Sequence, residues 1–318
     1  MRALLLGHFS TVGDIESLRW VQDILSAEGI PFDVAPYVDK YVPALAGAIP
    51  LGAIEPDRYT HLVVICGPIW PELLAKRKVD LHRFAHCVRI GVNLTMVEPL
   101  ADWNPFHVLL ERDSDRAARP DLTFLCDTGR VPVVGVCTIA RQREYGGRQR
   151  HGQALEMLQD LVRDRRLATV AVDTRWPASR NDGGLGSPEE VISVISRLDV
   201  LLTNRLHGLV FALKAGVPVL AVDPVAGGDK VMAQAGVLGW PAVTTVDEGT
   251  ADQLPALLDW CLSAEARDQA RSVAARAREQ LDPIADDLRQ AFRKPFQPIP
   301  LPQQPSRGWL ARLRRRSA

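Results

Sequence analysis

Short, almost unbroken apolar runs alternate along this chain with longer stretches in which apolar residues return every three or four positions. The first kind marks strands covered on both faces of a parallel sheet, and the second marks helices that lay one stripe on such a sheet. A run at residues 3–6 opens the first series. A loop at 8–13 follows, then a helix through Ala27 with Leu18, Val21, Ile24 and Leu25 at helical spacing, and Gly29 stops it. Further strands are predicted at 32–35, 61–66, 88–92 and 107–110, residues 120–125 close the series, and 129–132 reads as a hinge.

The second series begins with a central strand at 133–139 and continues with a helix at about 153–165 and a strand at 168–172. Ser187-Pro188-Glu189-Glu190 sets a cap, a proline at the first helical position and acids in the first turn, which is a strong helix start. Residues 201–230 then read as strand, turn, apolar helix from about Leu209 to Ala215, a Gly-Val-Pro stop, a strand at 219–222 and a glycine-rich loop ending in Lys230. Residues 250–291 are mostly helical, with Pro255 and Pro283 marking first turns or breaks. Alternation of this kind predicts an α/β chain of two Rossmann-like domains facing each other across a cleft. Their expected limits are 1–130 and 131–294, followed by a proline-rich linker and basic tail at 295–318.

Composition narrows the partners. With 38 Lys and Arg against 38 Asp and Glu the net charge is zero, so no global field draws the chain to nucleic acid or to an anionic surface. No apolar run approaches the roughly 18 residues a membrane span needs, and the start reads as a buried strand rather than a signal peptide. Cys66, Cys87, Cys126, Cys137 and Cys261 are scattered in apolar segments without pairing or ligand spacing. They read as reduced core thiols of a cytoplasmic protein. His61, His82, His86 and His107 show no ligand spacing either, so no metal site is assigned.

Charge does concentrate locally. Arg205 and His207 follow a strand, Lys230 follows the next one, and Arg141 follows the strand that opens the second series. Ligands of open parallel sheets bind at such strand ends, and this grouping suits an anion. Gly227 and Gly228 add backbone N–H groups at a helix start. Each residue has a plainer reading. Arg205 would pair with Asp199 or Asp223, His207 would bond a backbone carbonyl, and Arg143 or Arg148 would replace Arg141 as the reaching cation. In the first domain His8, Gly13 and Asp14 line the opening loop, where Asp14 either caps the first helix or acts as a base. Trp70 and Trp103 fill the core or stack on a sugar.

The stretch TNRLHGLVFALKAGVPVLAVDP resembles the most recognisable segment of the polysaccharide pyruvyl transferase family, an Arg-X-His-Gly turn followed by a small-residue helix and a Gly-X-Pro-Val strand. Val12-Gly13-Asp14, Arg112-Asp113-Ser114 and Pro120-Asp121 are similar to weaker marks of the same family, in the same order. The resemblance implies a glycosyltransferase-like (GT-B-like) fold that moves pyruvate from phosphoenolpyruvate onto a saccharide acceptor, lipid-linked or not, as a ketal. It implies donor binding by Arg141, Arg205, Lys230, Gly227 and Gly228, and catalysis by His207 with Asp14. It implies an acceptor side at His8, Gly13 and Asp14, and no cofactor beyond the donor itself. Two alternatives stand beside it: a nucleotide-sugar glycosyltransferase holding a diphosphate on the same cations, and a non-catalytic homologue that binds a phosphorylated metabolite. Trp309, Leu310 and Leu313 among Arg307, Arg312, Arg314, Arg315 and Arg316 form a basic turn that would touch the inner face of the plasma membrane weakly, or stay solvated.

Overall fold

The computed structural model describes residues 1–163, 165–250 and 252–295, which form two compact units divided after Gly129. The basic turn expected at 307–316 lies outside the described residues.

Unit 1 is a five-stranded parallel sheet, β1 (Ala3–Gly7), β2 (Phe32–Pro36), β3 (His61–Ile69), β4 (Val88–Met96) and β5 (Val108–Leu110), in the order β2-β1-β3-β4-β5. The unbroken apolar runs are explained by two cores, one on each face. Leu4, Leu6, Leu62, Val64 and Leu94 belong to one, and Ala3, Leu5, Val63, Ile65 and Val92 to the other, as the two-residue period of a strand requires. Helix α1 (Val12–Ala27) buries Leu18 and Val21 on the second face. Helix α2 (Pro71–Lys76) buries Leu74 on the first. Strands β3 and β4 run past the ends expected from the sequence, and Leu122–Leu125 is a short 3-10 turn.

Unit 2 repeats the plan with β6 (Val133–Cys137), β7 (Ala168–Ala171), β8 (Val200–Thr203), β9 (Val219–Asp223) and β10 (Val243–Thr245), all parallel, in the order β10-β9-β8-β6-β7. Its helices are α3 (His151–Arg163), α4 (Pro188–Ile195), α5 (Leu206–Lys214), α6 (Lys230–Leu238), α7 (Gln253–Cys261) and α8 (Ala264–Arg293). Ser187 and Glu190 form the expected reciprocal cap on α4. Pro255 sits in the first turn of α7, but Pro283 does not break its helix: α8 continues through it. No helix among the described residues is long and apolar enough to cross a membrane.

Both sheets follow one winding rule. The chain leaves the first strand of each unit to one side, then returns to pair on its other side. That reversal opens a crevice at the carboxyl ends of β1 and β3 in unit 1 and of β6 and β8 in unit 2.

Candidate functional site

The crevice of unit 2 is framed by side chains at the end of β8. Thr203 Oγ donates to the Cys137 carbonyl at 2.7 Å, so the ends of β6 and β8 are tied together. Asn204, 1% exposed, accepts from the Ile139 N–H at 2.8 Å and donates to the Ile139 carbonyl at 2.9 Å, which fixes the loop leaving β6. Helix α5 then begins three residues earlier than the apolar pattern indicates, with Arg205 as its cap residue and His207 in its first turn. Gly208 makes this possible. A Cβ there would lie 2.2 Å from Thr203 Oγ, so only glycine lets the helix start directly on the strand end.

Arg205 is mostly buried, and its partner is neither Asp199 nor Asp223. Its Nη1 donates to Asp173 Oδ1 at 2.9 Å, and the two side chains are 16% and 7% exposed. Asp199 instead holds Arg267 and the Val133 N–H, while Asp223 accepts the N–H groups of Val225, Asp229 and Met232. Asp173, just past β7, also takes Arg175 Nε at 2.8 Å and the N–H groups of Arg175 and Asp182. Burial pushes its carboxyl up, but those amides and the Arg175 guanidinium outweigh burial and hold it below the usual range. The remaining nitrogens of Arg205, Nε and Nη2, have no hydrogen bond among the described residues. One end of the guanidinium is therefore anchored, and the edge that binds two oxygens at once is left open.

His207 bonds no backbone carbonyl among the described residues. It is exposed, with its ring 5.6 Å from that of Phe211 at 33°. It lines a shallow hollow of about 240 Å³ with Thr174, Arg175, Trp176, Leu185 and Phe211. Sequence reasoning missed Asp173, Arg175 and Trp176 altogether. The available signal was their position immediately after a strand, the same signal that singled out Arg205.

The other expected donor-side residues divide. Lys230 is the first residue of α6 and places its Nζ 5.3 Å from the Tyr145 ring centroid, which draws the loops after β6 and β9 together. The N–H of Gly227 is taken by Asp247 Oδ2 at 2.7 Å and that of Gly228 by the Val225 carbonyl at 2.8 Å, so neither amide is offered to an anion. Arg148 is also occupied: it donates to the carbonyls of Ala226 and Gly228 and clamps the loop. Arg141 is exposed and has no hydrogen bond or ion pair among the described residues, so of Arg141 and Arg148 it is the one free to reach a ligand.

In unit 1 the opening loop folds as a reciprocal cap. Asp14 Oδ2 accepts the N–H groups of Ser10 and Thr11, and Thr11 Oγ accepts the N–H of Asp14. Asp14 thus closes the cap of α1 through Oδ2. Gly13 lies inside α1, near the Thr123 methyl. His8 sits at the end of β1 within 3.3 Å of Ser10 Oγ and 3.4 Å of Arg77 Nη2. Burial first, and the Arg77 charge second, push its imidazole below the ordinary histidine range. Trp103 packs against the unit 1 core. Among the described residues no group of three or more His, Cys, Asp or Glu could hold a metal ion.

Residues 120–224 match the family model for polysaccharide pyruvyl transferase. No curated protein matches the chain. Among solved structures, the glycotransferase of kitacinnamycin is 14% identical, covers 91% of this chain and 98% of its own, and has a TM-score of 0.30. The spinosyn forosaminyltransferase SpnP is 14% identical over 91% of this chain and 99% of its own, at a TM-score of 0.33. The E. coli heptosyltransferase WaaC with ADP is 16% identical over 84% and 99%, at 0.27.

Proposed function

We propose that this protein transfers the pyruvyl group of phosphoenolpyruvate to two hydroxyls of a sugar in a polysaccharide or its precursor, forming a ketal. The supporting observation is the open Nε and Nη2 edge of Arg205, anchored by Asp173 at the crevice of unit 2, inside the stretch that matches the pyruvyl transferase family. The same stretch contributes Arg141, Arg175 and His207, and Lys230 lies just beyond it.

The donor carries a carboxylate and a phosphate on the same carbon, which calls for several cations arriving from different strand ends. In this reading Arg205 takes one anionic group through its free edge, and Arg141 and Lys230 neutralise the other. His207 supplies the proton to the methylene carbon, since an imidazole holds and releases a proton near neutral pH. Protonation leaves a cation-like C2. One sugar hydroxyl adds there and loses its proton, phosphate leaves with the C2–O electron pair, and a second hydroxyl of the same sugar adds to C2 and gives up its proton to the departing phosphate, which closes the ketal. No cofactor enters these steps. The acceptor-side candidates in unit 1 are Asp14 and His8, whose imidazole is pushed below the ordinary histidine range by burial and the Arg77 charge.

Thermal unfolding of the purified chain tests the donor. Phosphoenolpyruvate at about a hundred times its dissociation constant should stabilise the fold by about 2.7 kcal/mol, visible as a raised Tm. Stabilisation by UDP or GDP without any response to phosphoenolpyruvate would overturn the reading in favour of a nucleotide-sugar transferase. Stabilisation by phosphoenolpyruvate with no phosphate release in the presence of polysaccharide acceptors would leave a metabolite-binding homologue.

A further inference from the structure

Among the described residues nothing covers the second half of α8. Its first half is packed, with Ala266, Ala270 and Val273 buried. Among the described residues its last hydrogen bond to the rest of unit 2 runs from Arg278 Nη2 to the Lys214 carbonyl at 3.4 Å. Beyond that bond the helix continues to Arg293, and Leu281, Ile284, Leu288 and Phe292 are 59%, 54%, 57% and 84% exposed. At helical spacing they fall with Ala277, Ala285 and Ala291 on one stripe about 120° wide. Pro283 within this stretch removes a backbone donor. A projecting helix with a missing hydrogen bond and an uncovered apolar stripe gains little from water and much from a partner.

The charges select the partner. Arg278, Arg289, Arg293 and Lys294 are matched by Glu279, Asp282, Asp286 and Asp287, so the segment is neutral and does not suit an anionic bilayer. Asp282 and Arg289 lie on the same flank of the stripe, seven positions apart. In an antiparallel helix pair about a two-fold axis, each flank meets its own counterpart. We propose that this stripe docks antiparallel on the same stripe of a second copy of the chain. Ile284 then lies level with Leu288 of the other copy, and Leu281 within one residue of level with its Phe292. Asp282 of each copy faces Arg289 of the other, twice. Arg289 gives up only an exposed intrahelical pair with Asp286 to do so. A single helical face is a small interface, below about 1,200 Å², so the association is weak and concentration-dependent.

Sedimentation equilibrium of the full chain across the micromolar range tests the proposal. The wild type should pass from monomer to dimer, and Leu288→Glu, on an exposed position that leaves the body folded, should weaken the dimer at least tenfold. Asp282→Arg and Arg289→Asp should each remain monomeric alone and dimerise when mixed, because only the mixture restores opposite charges on the shared flank. Unchanged near-UV circular dichroism and Tm would certify the variants as folded. A wild type that stays monomeric, a dimer indifferent to Leu288→Glu, or a mixture that fails to pair would each overturn the interface. So would flotation of the monomeric wild type with anionic vesicles, which would assign the stripe to a membrane.

Discussion

Two residues past the end of β5, Arg112 commits all three of its guanidinium nitrogens inside unit 1: Nε on Asp113 at 2.7 Å, Nη1 on Asp121 at 2.9 Å and Nη2 on Thr95 Oγ at 2.7 Å. Asn93 continues the closure, donating to Ser17 and Asp121 and accepting the Leu122 N–H. Arg205, two residues past the end of β8 in a sheet of the same strand order, is tied by one nitrogen only, and Arg141 by none among the described residues. A guanidinium saturated by its own fold braces the loops around it. One that is fixed at a single corner is pre-organised for a ligand, with less rotamer entropy left to lose on binding. The two arginines thus differ in how many of their donors the fold has already committed.

The sharpest way to exploit this contrast is His207→Ala. Removing proton delivery should lower turnover by about 10²–10⁴-fold while phosphoenolpyruvate affinity is largely kept, measured as phosphate release against binding. Next in size, Asp173→Ala should destabilise unit 2 by about 2–3 kcal/mol in denaturant unfolding, because it strands Arg205 in a mostly buried setting, softened by the partial exposure of Arg175. It should also weaken donor binding, since the guanidinium loses its anchor. The smallest effect belongs to unit 1 and to pH. Burial pushes the Asp121 carboxyl up, but the Thr123 amide, Arg112 and Asn93 prevail and bring it down to about 2 from 3.8. Its folded-state pKa is depressed, so its contribution is complete above the unfolded value and disappears as pH falls from about 4 to about 2. Acid unfolding followed by a probe in unit 1 should show that loss, and Asp121→Asn should flatten it.

Much of the fold behind this contrast was readable in the chain. Strand positions and the capping box on α4 follow from period and turn chemistry, because sheets with two covered faces force unbroken apolar runs. The start of α5 did not, since Arg205 has no side-chain cap bond and Asn204, the residue type that would signal a cap, instead bridges to Ile139. The resemblance to a family at 112–113 and 120–121 pointed to residues that do converge, but on one another: Arg112 bridges Asp113 and Asp121. Spacing shows that residues are set apart for a purpose and cannot show whether their donors are already spent. The role of Asp173 was hidden for the same reason, as its partner Arg205 lies 32 positions away. Pro283 misled in the other direction, because a proline inside a long helix costs one hydrogen bond without ending it.

Calorimetric titration of phosphoenolpyruvate into the wild type, Arg205→Lys and Arg112→Lys tests the central claim most directly. The account predicts that a lysine at 205, a point charge without the fork, binds the donor about tenfold more weakly, on the order of 1.4 kcal/mol, whereas Arg112→Lys loses stability and keeps its affinity. Equal affinity in Arg205→Lys and the wild type, or a loss confined to Arg112→Lys, would contradict it.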